Sequence, residues 1–164
     1  MDEATHHEGG CLCGAVRFRV EGAPDWVTIC FCRFCQRLTG STQMVEPVFA
    51  AGALEVTAGR PRRYTHTSEG SGFPVHVHRC GACGTALFIR FGRWPDRVGV
   101  LGGAFDAPGW FAITPETTKF IFLDEARPGT LVPPGFRVFR AHAAALDGTP
   151  EVPEVFETDH VTGG

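Results

Sequence analysis

The chain has 164 residues, 43% hydrophobic and 20% charged, which suits one globular domain with a real core and excludes a disordered chain. Its formal charge of -3 gives no general attraction to nucleic acid or an anionic membrane, so no nucleic-acid partner is expected. No apolar run approaches the roughly 20 residues that span a bilayer, and no charged-then-apolar leader is visible, so a cytoplasmic protein without a membrane partner is expected.

Met1 to Gly9 is polar and reads as a loose lead-in, with His6-His7 solvated rather than ligating. Ala15 to Val20 alternates apolar with polar, the period of a half-buried strand, and Gly22 to Pro24 turns the chain. Trp26 to Cys32 reads as a second strand, followed by one helical turn at Gln36-Arg37-Leu38 closed by Gly40. Further strands are predicted at Gln43–Phe49, Ala53–Thr57, Arg62–Thr67, Pro74–Cys80, Thr85–Phe91, Val98–Leu101 and Lys119–Leu123. Ala141 to Leu146 is the other helical candidate, and the segment from Thr149 onward reads as an extended tail over the surface.

With 21 Gly and 12 Pro punctuating short strands, the chain reads as mainly β, with antiparallel strands and little helix. A single domain is expected, with its core over about residues 9–123 and its tail over about 147–164. The sequence carries no signal for oligomeric state; a homodimer is one option.

Seven cysteines decide more than any strand. Their odd number argues against a closed disulfide framework, and a cytoplasmic chain keeps its thiols reduced, so metal ligation is the favoured use. They fall as Cys11-x-Cys13, as Cys30-x-Cys32-x-x-Cys35 and as Cys80-x-x-Cys83. Glycines flank both pairs, as a backbone that curls around an ion at positive φ requires. Two distant pairs closing on one ion make a four-thiolate set, structural in type. Cys30 and Cys32, two apart on an extended segment, point to one side, and the next turn can bring Cys35 round to them. Three thiolates leave one position of a zinc tetrahedron open, and an open position separates a catalytic zinc from a structural one. The spacing alone also allows the triplet to exchange partners with either pair.

Gly10-Cys11-Leu12-Cys13-Gly14-Ala15-Val16, then Cys30-x-Cys32-x-x-Cys35-Gln36 running on to Thr39-Gly40-Ser41, then Cys80-Gly81-x-Cys83-Gly84-Thr85 resemble the glutathione-dependent formaldehyde-activating (GFA) family, which includes centromere protein V. The resemblance runs from about Gly9 to Phe122. It implies a small zinc-stapled fold of the β-tent type, shared with a GTPase-interacting chaperone. It further implies two zinc ions, one on Cys11, Cys13, Cys80 and Cys83, the other on Cys30, Cys32 and Cys35. The implied activity is a carbon–sulfur lyase, condensing glutathione with formaldehyde to S-hydroxymethylglutathione or reversing that step. Phe31 stands where the family often carries His, which makes the triplet more apolar.

On that reading Cys30, Cys32 and Cys35 are the catalytic set. Arg33 and Arg37 can offset its negative charge or pair with glutathione's carboxylates. Gln36 and Ser41 can donate to a peptide-like ligand or a developing alkoxide, a structural role in the turn being the favoured reading for Ser41. Phe31 and Phe34 read as core, and His76 and His78 as a solvent-facing strand side. The competing expectation is a zinc-held, non-catalytic module that binds glutathione or another protein.

Overall fold

The computed structural model describes residues 5–163. It is mainly β, with 40% of residues in strands and 10% in helices. In chain order the strands are β1 (His6–Gly10), β2 (Arg17–Glu21), β3 (Trp26–Cys30), β4 (Met44–Ala50), β5 (Leu54–Ala58), β6 (Arg62–Thr67) and β7 (Pro74–Arg79). They continue as β8 (Ala86–Phe91), β9 (Arg97–Val100), β10 (Thr118–Ile121), β11 (Leu131–Val132), β12 (Arg137–Val138), β13 (Glu154–Val155) and β14 (His160–Val161). One α-helix, α1 (Arg33–Thr39), follows β3.

The chain divides into two compact units: residues up to Asp25 with Pro47–Phe111, and Trp26–Glu46 with residues from Ala112 onward. In the first, β1, β2 and β5 form an antiparallel sheet, and β9, β8, β7 and β6 make an antiparallel meander beside the second half of β4. The alternation seen in the sequence does its work here. Val16, Phe18 and Val20 turn inward against Phe49, Leu87, Phe88, Val98, Val100 and Phe105, and Cys11 and Cys80 belong to the same buried cluster.

In the second unit β10 lies beside β3 with Phe120 opposite Ile29, and β12 lies beside β10. Both pairings are parallel, a departure from the antiparallel expectation. Parallel neighbours need a long connection between them, and the segment between β3 and β10 supplies one. Ile29, Phe31, Phe120, Leu123, Val132, Phe136 and Val138 form the core, with Val45 packed on it. Phe31 is fully buried, as a core residue should be.

Three local expectations need correction. The lead-in is not loose from His6 on: β1 pairs with β2 along its length, and His7 stacks on Trp110 at 3.5 Å between ring centroids. Met1 to Ala4 lie outside the described residues. Ala141–Leu146 forms no helix; the His142 ring bonds the Ala144 backbone, and the Asp147-Gly148 turn lets Ala144 bridge Pro150. A side chain that captures its neighbours' backbone groups competes directly with helix formation. Lastly, His78 is not simply solvated: its ring stacks on Phe88 at 4.5 Å, while His76 bonds Thr65.

Candidate metal centres and active site

Two groups of thiols converge. In the first unit the Sγ atoms of Cys11, Cys13, Cys80 and Cys83 all lie within 4.8 Å of one another. Cys11 to Cys13 and Cys13 to Cys80 are 3.6 and 3.7 Å apart. Four thiolates at about 2.3 Å from a tetrahedral zinc stand about 3.8 Å apart, so the donor set fits that ion.

The two halves of this group are built alike. In each, a turn closes back on the first cysteine: the Gly14 N–H donates to the Cys11 carbonyl at 3.0 Å, and Gly84 to Cys80 at 3.1 Å. Both glycines sit at positive φ, 75° and 78°, where a side chain would be strained. The sulfurs also accept backbone bonds, Cys11 from Val16 at 3.2 Å and Cys80 from Ala82 at 3.4 Å. The Thr85 hydroxyl lies 3.1 Å from Cys83 Sγ and accepts the Leu12 N–H at 3.2 Å, tying one knuckle to the other. That hydroxyl, with the Thr85 backbone, draws the Cys83 thiol down to about 5. The Ala15 N–H works to lower Cys13, but Cys11 and Cys83 beside it push that thiol up to about 11.

In the second unit the Sγ atoms of Cys30, Cys32 and Cys35 lie within 4.8 Å of one another. Cys30 ends β3, Cys32 stays extended as the N-cap of α1, and Cys35 enters its first turn; Gly40, at φ 65°, closes the helix. The helix is longer than the single predicted turn because the Cys32 sulfur accepts the Cys35 N–H at 3.4 Å and so caps it. Cys30 and Cys35 are buried and Cys32 is partly exposed.

These thiols do not share charge evenly. Hydrogen bonds from Cys30 and Cys35, then backbone N–H groups, bring Cys32 down to about 3 despite burial. Cys30 and Cys35 are pushed well up, chiefly by bonding to their sister thiols and then by burial. A cation bound by the trio would displace the thiol protons. No fourth His, Cys, Asp or Glu donor joins it among the described residues.

The predicted ligand-binding residues lie on α1, the helix that carries Cys35, or just after it. The Arg33 N–H donates to Glu125 Oε2 at 2.7 Å, and its guanidinium donates to Gln36 Oε1. Gln36 Nε2 donates to the Phe31 carbonyl and, at 3.0 Å, to the Glu125 carbonyl. Gln36 therefore braces the turn from Phe31 to α1. Arg37 is exposed in the last turn, and Ser41, also exposed, donates its backbone N–H to Thr39 Oγ1 at 3.2 Å.

Sequence reasoning missed two acids. Glu125 caps the start of α1 from a short 3-10 turn entered through Phe122, the one described non-glycine residue at positive φ. No periodic signal marks it. Glu46 is 6% exposed, and its Oε1 makes no hydrogen bond among the described residues. Burial first, then the Cys32 charge, pushes it up to about 8, with Lys119 opposing. The signal for Glu46 was present: it alternates with Met44 and Val48 on the buried side of a predicted strand.

A family model described as glutathione-dependent formaldehyde-activating enzyme matches residues 6–122, well over half of the chain. A Halomonas elongata protein provisionally named a glutathione-dependent formaldehyde-activating enzyme is 31% identical over 103 residues. That alignment covers 61% of this chain and 66% of the relative, so just under two thirds of the relative's length is spanned. A crystal structure of a Rhodobacter sphaeroides protein aligns with 24% identity and a TM-score of 0.48, covering 66% of this chain and 92% of that one. On its three cysteine motifs and the span of the family model, the chain belongs to the glutathione-dependent formaldehyde-activating enzyme family.

Proposed function

We propose that the chain is a zinc-dependent carbon–sulfur lyase handling an adduct of glutathione with an aldehyde, such as S-hydroxymethylglutathione. The observation that carries this reading is the buried trio of Cys30, Cys32 and Cys35, which offers an ion three sulfurs and no fourth donor among the described residues. The family model spans parts of both compact units, which supports treating the chain as one functional domain with two zinc ions. Cys11, Cys13, Cys80 and Cys83 hold the structural ion in this proposal, and the trio holds the other.

A zinc ion in the trio supplies Lewis acidity that keeps an incoming thiol in its nucleophilic form at neutral pH. The protein residues do the rest. Cys32 would bind the ion from the N-cap of α1, and Cys30 and Cys35 would complete the set from buried positions. Phe31, fully buried, belongs to the core that backs the turn carrying the trio. Arg37, exposed at the end of α1, would meet a ligand carboxylate in this proposal, with Arg33 one turn earlier. Ser41 offers a hydroxyl to the tripeptide in the same proposal, while Gln36, predicted as a ligand contact, has its amide engaged by Arg33, Phe31 and Glu125 and supports the turn instead.

Titration calorimetry with glutathione tests the reading. Binding that vanishes in Cys35→Ser is expected; binding absent from the wild type, or unchanged in the variant, would sink it. Acceleration of the glutathione–formaldehyde reaction above its spontaneous rate separates a lyase from a carrier that only binds.

A further inference from the structure

Three adjacent strands of the second unit, β10, β3 and β4, each turn one side chain in two toward the core. Phe120, Ile29, Phe31 and Val45 face that core. Their neighbours Lys119, Thr28, Cys30 and Glu46 must therefore face the other way, with Lys119 directly opposite Thr28. Thr28 is 4% exposed, and Lys119 Nζ sits 4.8 Å over the Trp26 ring. The row that bears the first thiol of the trio thus also carries buried Thr28 and Glu46 and half-buried Lys119, beside apolar Met44 and Val48.

Glu46 is the odd member of that row. A carboxyl taken out of water is costly, and a structural one is normally satisfied by donors. Here Oε1 has none among the described residues, and the side chain is not part of the thiol cluster itself. The charges that act on it are those of Cys32 and Lys119.

We propose that Glu46 is the acid–base residue of the Cys30–Cys32–Cys35 centre, its carboxyl engaging the aldehyde-derived oxygen of the bound adduct. This rests on the lyase reading above. In the synthetic direction the glutathione S–H proton passes to Glu46 as sulfur attacks the carbonyl carbon. A C–S bond forms, the C=O π pair moves to oxygen, and that oxygen takes the proton from Glu46. In reverse the hydroxyl proton passes to Glu46 as the C–S bond breaks and the C=O bond re-forms, and Glu46 hands that proton to the departing glutathione sulfur, so the carboxyl ends as it began. Lys119 is a positioning residue that opposes the nearby negative charge.

The zinc-loaded protein and Glu46→Gln test this, with exchange between glutathione, formaldehyde and the adduct followed by NMR. The variant should keep both metal equivalents and bind glutathione within about threefold of wild type, yet lose on the order of 100-fold in exchange rate. A binding readout stands beside the rate: wild type should hold S-hydroxymethylglutathione about tenfold more tightly than S-methylglutathione, and Glu46→Leu should erase that preference. An active wild type with an equally active Glu46→Gln overturns the role of Glu46 alone. A wild type that neither binds glutathione nor accelerates exchange overturns the lyase reading and this one together. If Glu46→Gln fails to fold, Glu46→Leu decides: folded, metal-loaded and fully active, it overturns the assignment; inactive without the hydroxyl preference, it supports it.

Discussion

The two thiol groups look alike as donor sets and differ in what they do to the chain. Cys11 and Cys13 meet Cys80 and Cys83 across a loop of more than sixty residues, through two turns of the same construction. Cys30, Cys32 and Cys35 come from six consecutive residues, a strand end and a helix cap. Closing a long loop removes much more freedom from the unfolded chain than closing a short one. The first group therefore constrains the fold, whereas the second closes within a turn that the local backbone has already formed. Burial follows the same division. Cys13 and Cys83 lie at the surface, where closed coordination has nothing to protect, whereas Cys30 and Cys35 are buried.

Removing one ligand from each group is the strongest way to break this contrast. Cys80→Ser should lose metal and fold together, since apparent binding energies of structural zinc run to roughly 10 kcal/mol and become folding energy. Cys35→Ser should lose about one metal equivalent, keep its circular dichroism and melting transition, and lose glutathione binding. Elemental analysis beside a thermal melt reads both; equal unfolding by the two variants would erase the distinction.

The next effect is smaller and concerns stability as a function of pH. Burial raises the Glu46 carboxyl from 4.5 to about 8, so the folded chain binds a proton that the unfolded chain has released between those values. The stability contributed by the protonated form is complete below about 4.5 and falls away as pH rises toward 8. Glu46→Gln carries no such titration. Relative to wild type it should therefore gain on the order of 2–3 kcal/mol by pH 7 and gain little at pH 4.5. Denaturant melts at the two pH values measure it. A variant with no pH-dependent gain would show that Glu46 meets a donor the structure does not display.

Much of this was legible in the sequence, and the parts that were not share a cause. β6 matches its predicted span, and most other strands match theirs to within a residue or two, because alternation and glycine punctuation are local signals. The metal groups were legible because ligand spacing is local too, within Cys11-x-Cys13, Cys30-x-Cys32-x-x-Cys35 and Cys80-x-x-Cys83. That Cys11 and Cys80 would meet was not local; it came from the family resemblance. The parallel neighbours of β10 are set by a return of the chain from far away, to which no periodicity refers. Glu125 lies over ninety residues from the N–H it caps. Glu46 was visible as an acid on an inward face but passed unread, because strand pattern alone does not say which residues will share that face.

The smallest expected effect concerns the end of the chain, predicted only as an extended tail. It is partly anchored. β13 pairs with β12, and Arg140 grips Glu154 with two bonds, Nε to Oε1 at 2.7 Å and Nη2 to Oε2 at 3.0 Å, while Nη1 reaches Asp124 at 3.4 Å. The Arg140 guanidinium holds the Glu154 carboxyl below its ordinary range. This contribution is therefore present above about pH 4.5 and lost as pH falls through the depressed value. Both side chains are about half exposed, so solvent screening limits the pair to about 0.5–1 kcal/mol, toward the upper end because the geometry is bidentate. Arg140→Ala should lower stability by that amount at pH 7 and by much less at pH 3, and should leave metal content and glutathione binding unchanged. A loss of binding on releasing this clamp would mean that the tail contributes to the thiol trio's site, and the trio could then no longer be treated as a product of its six local residues.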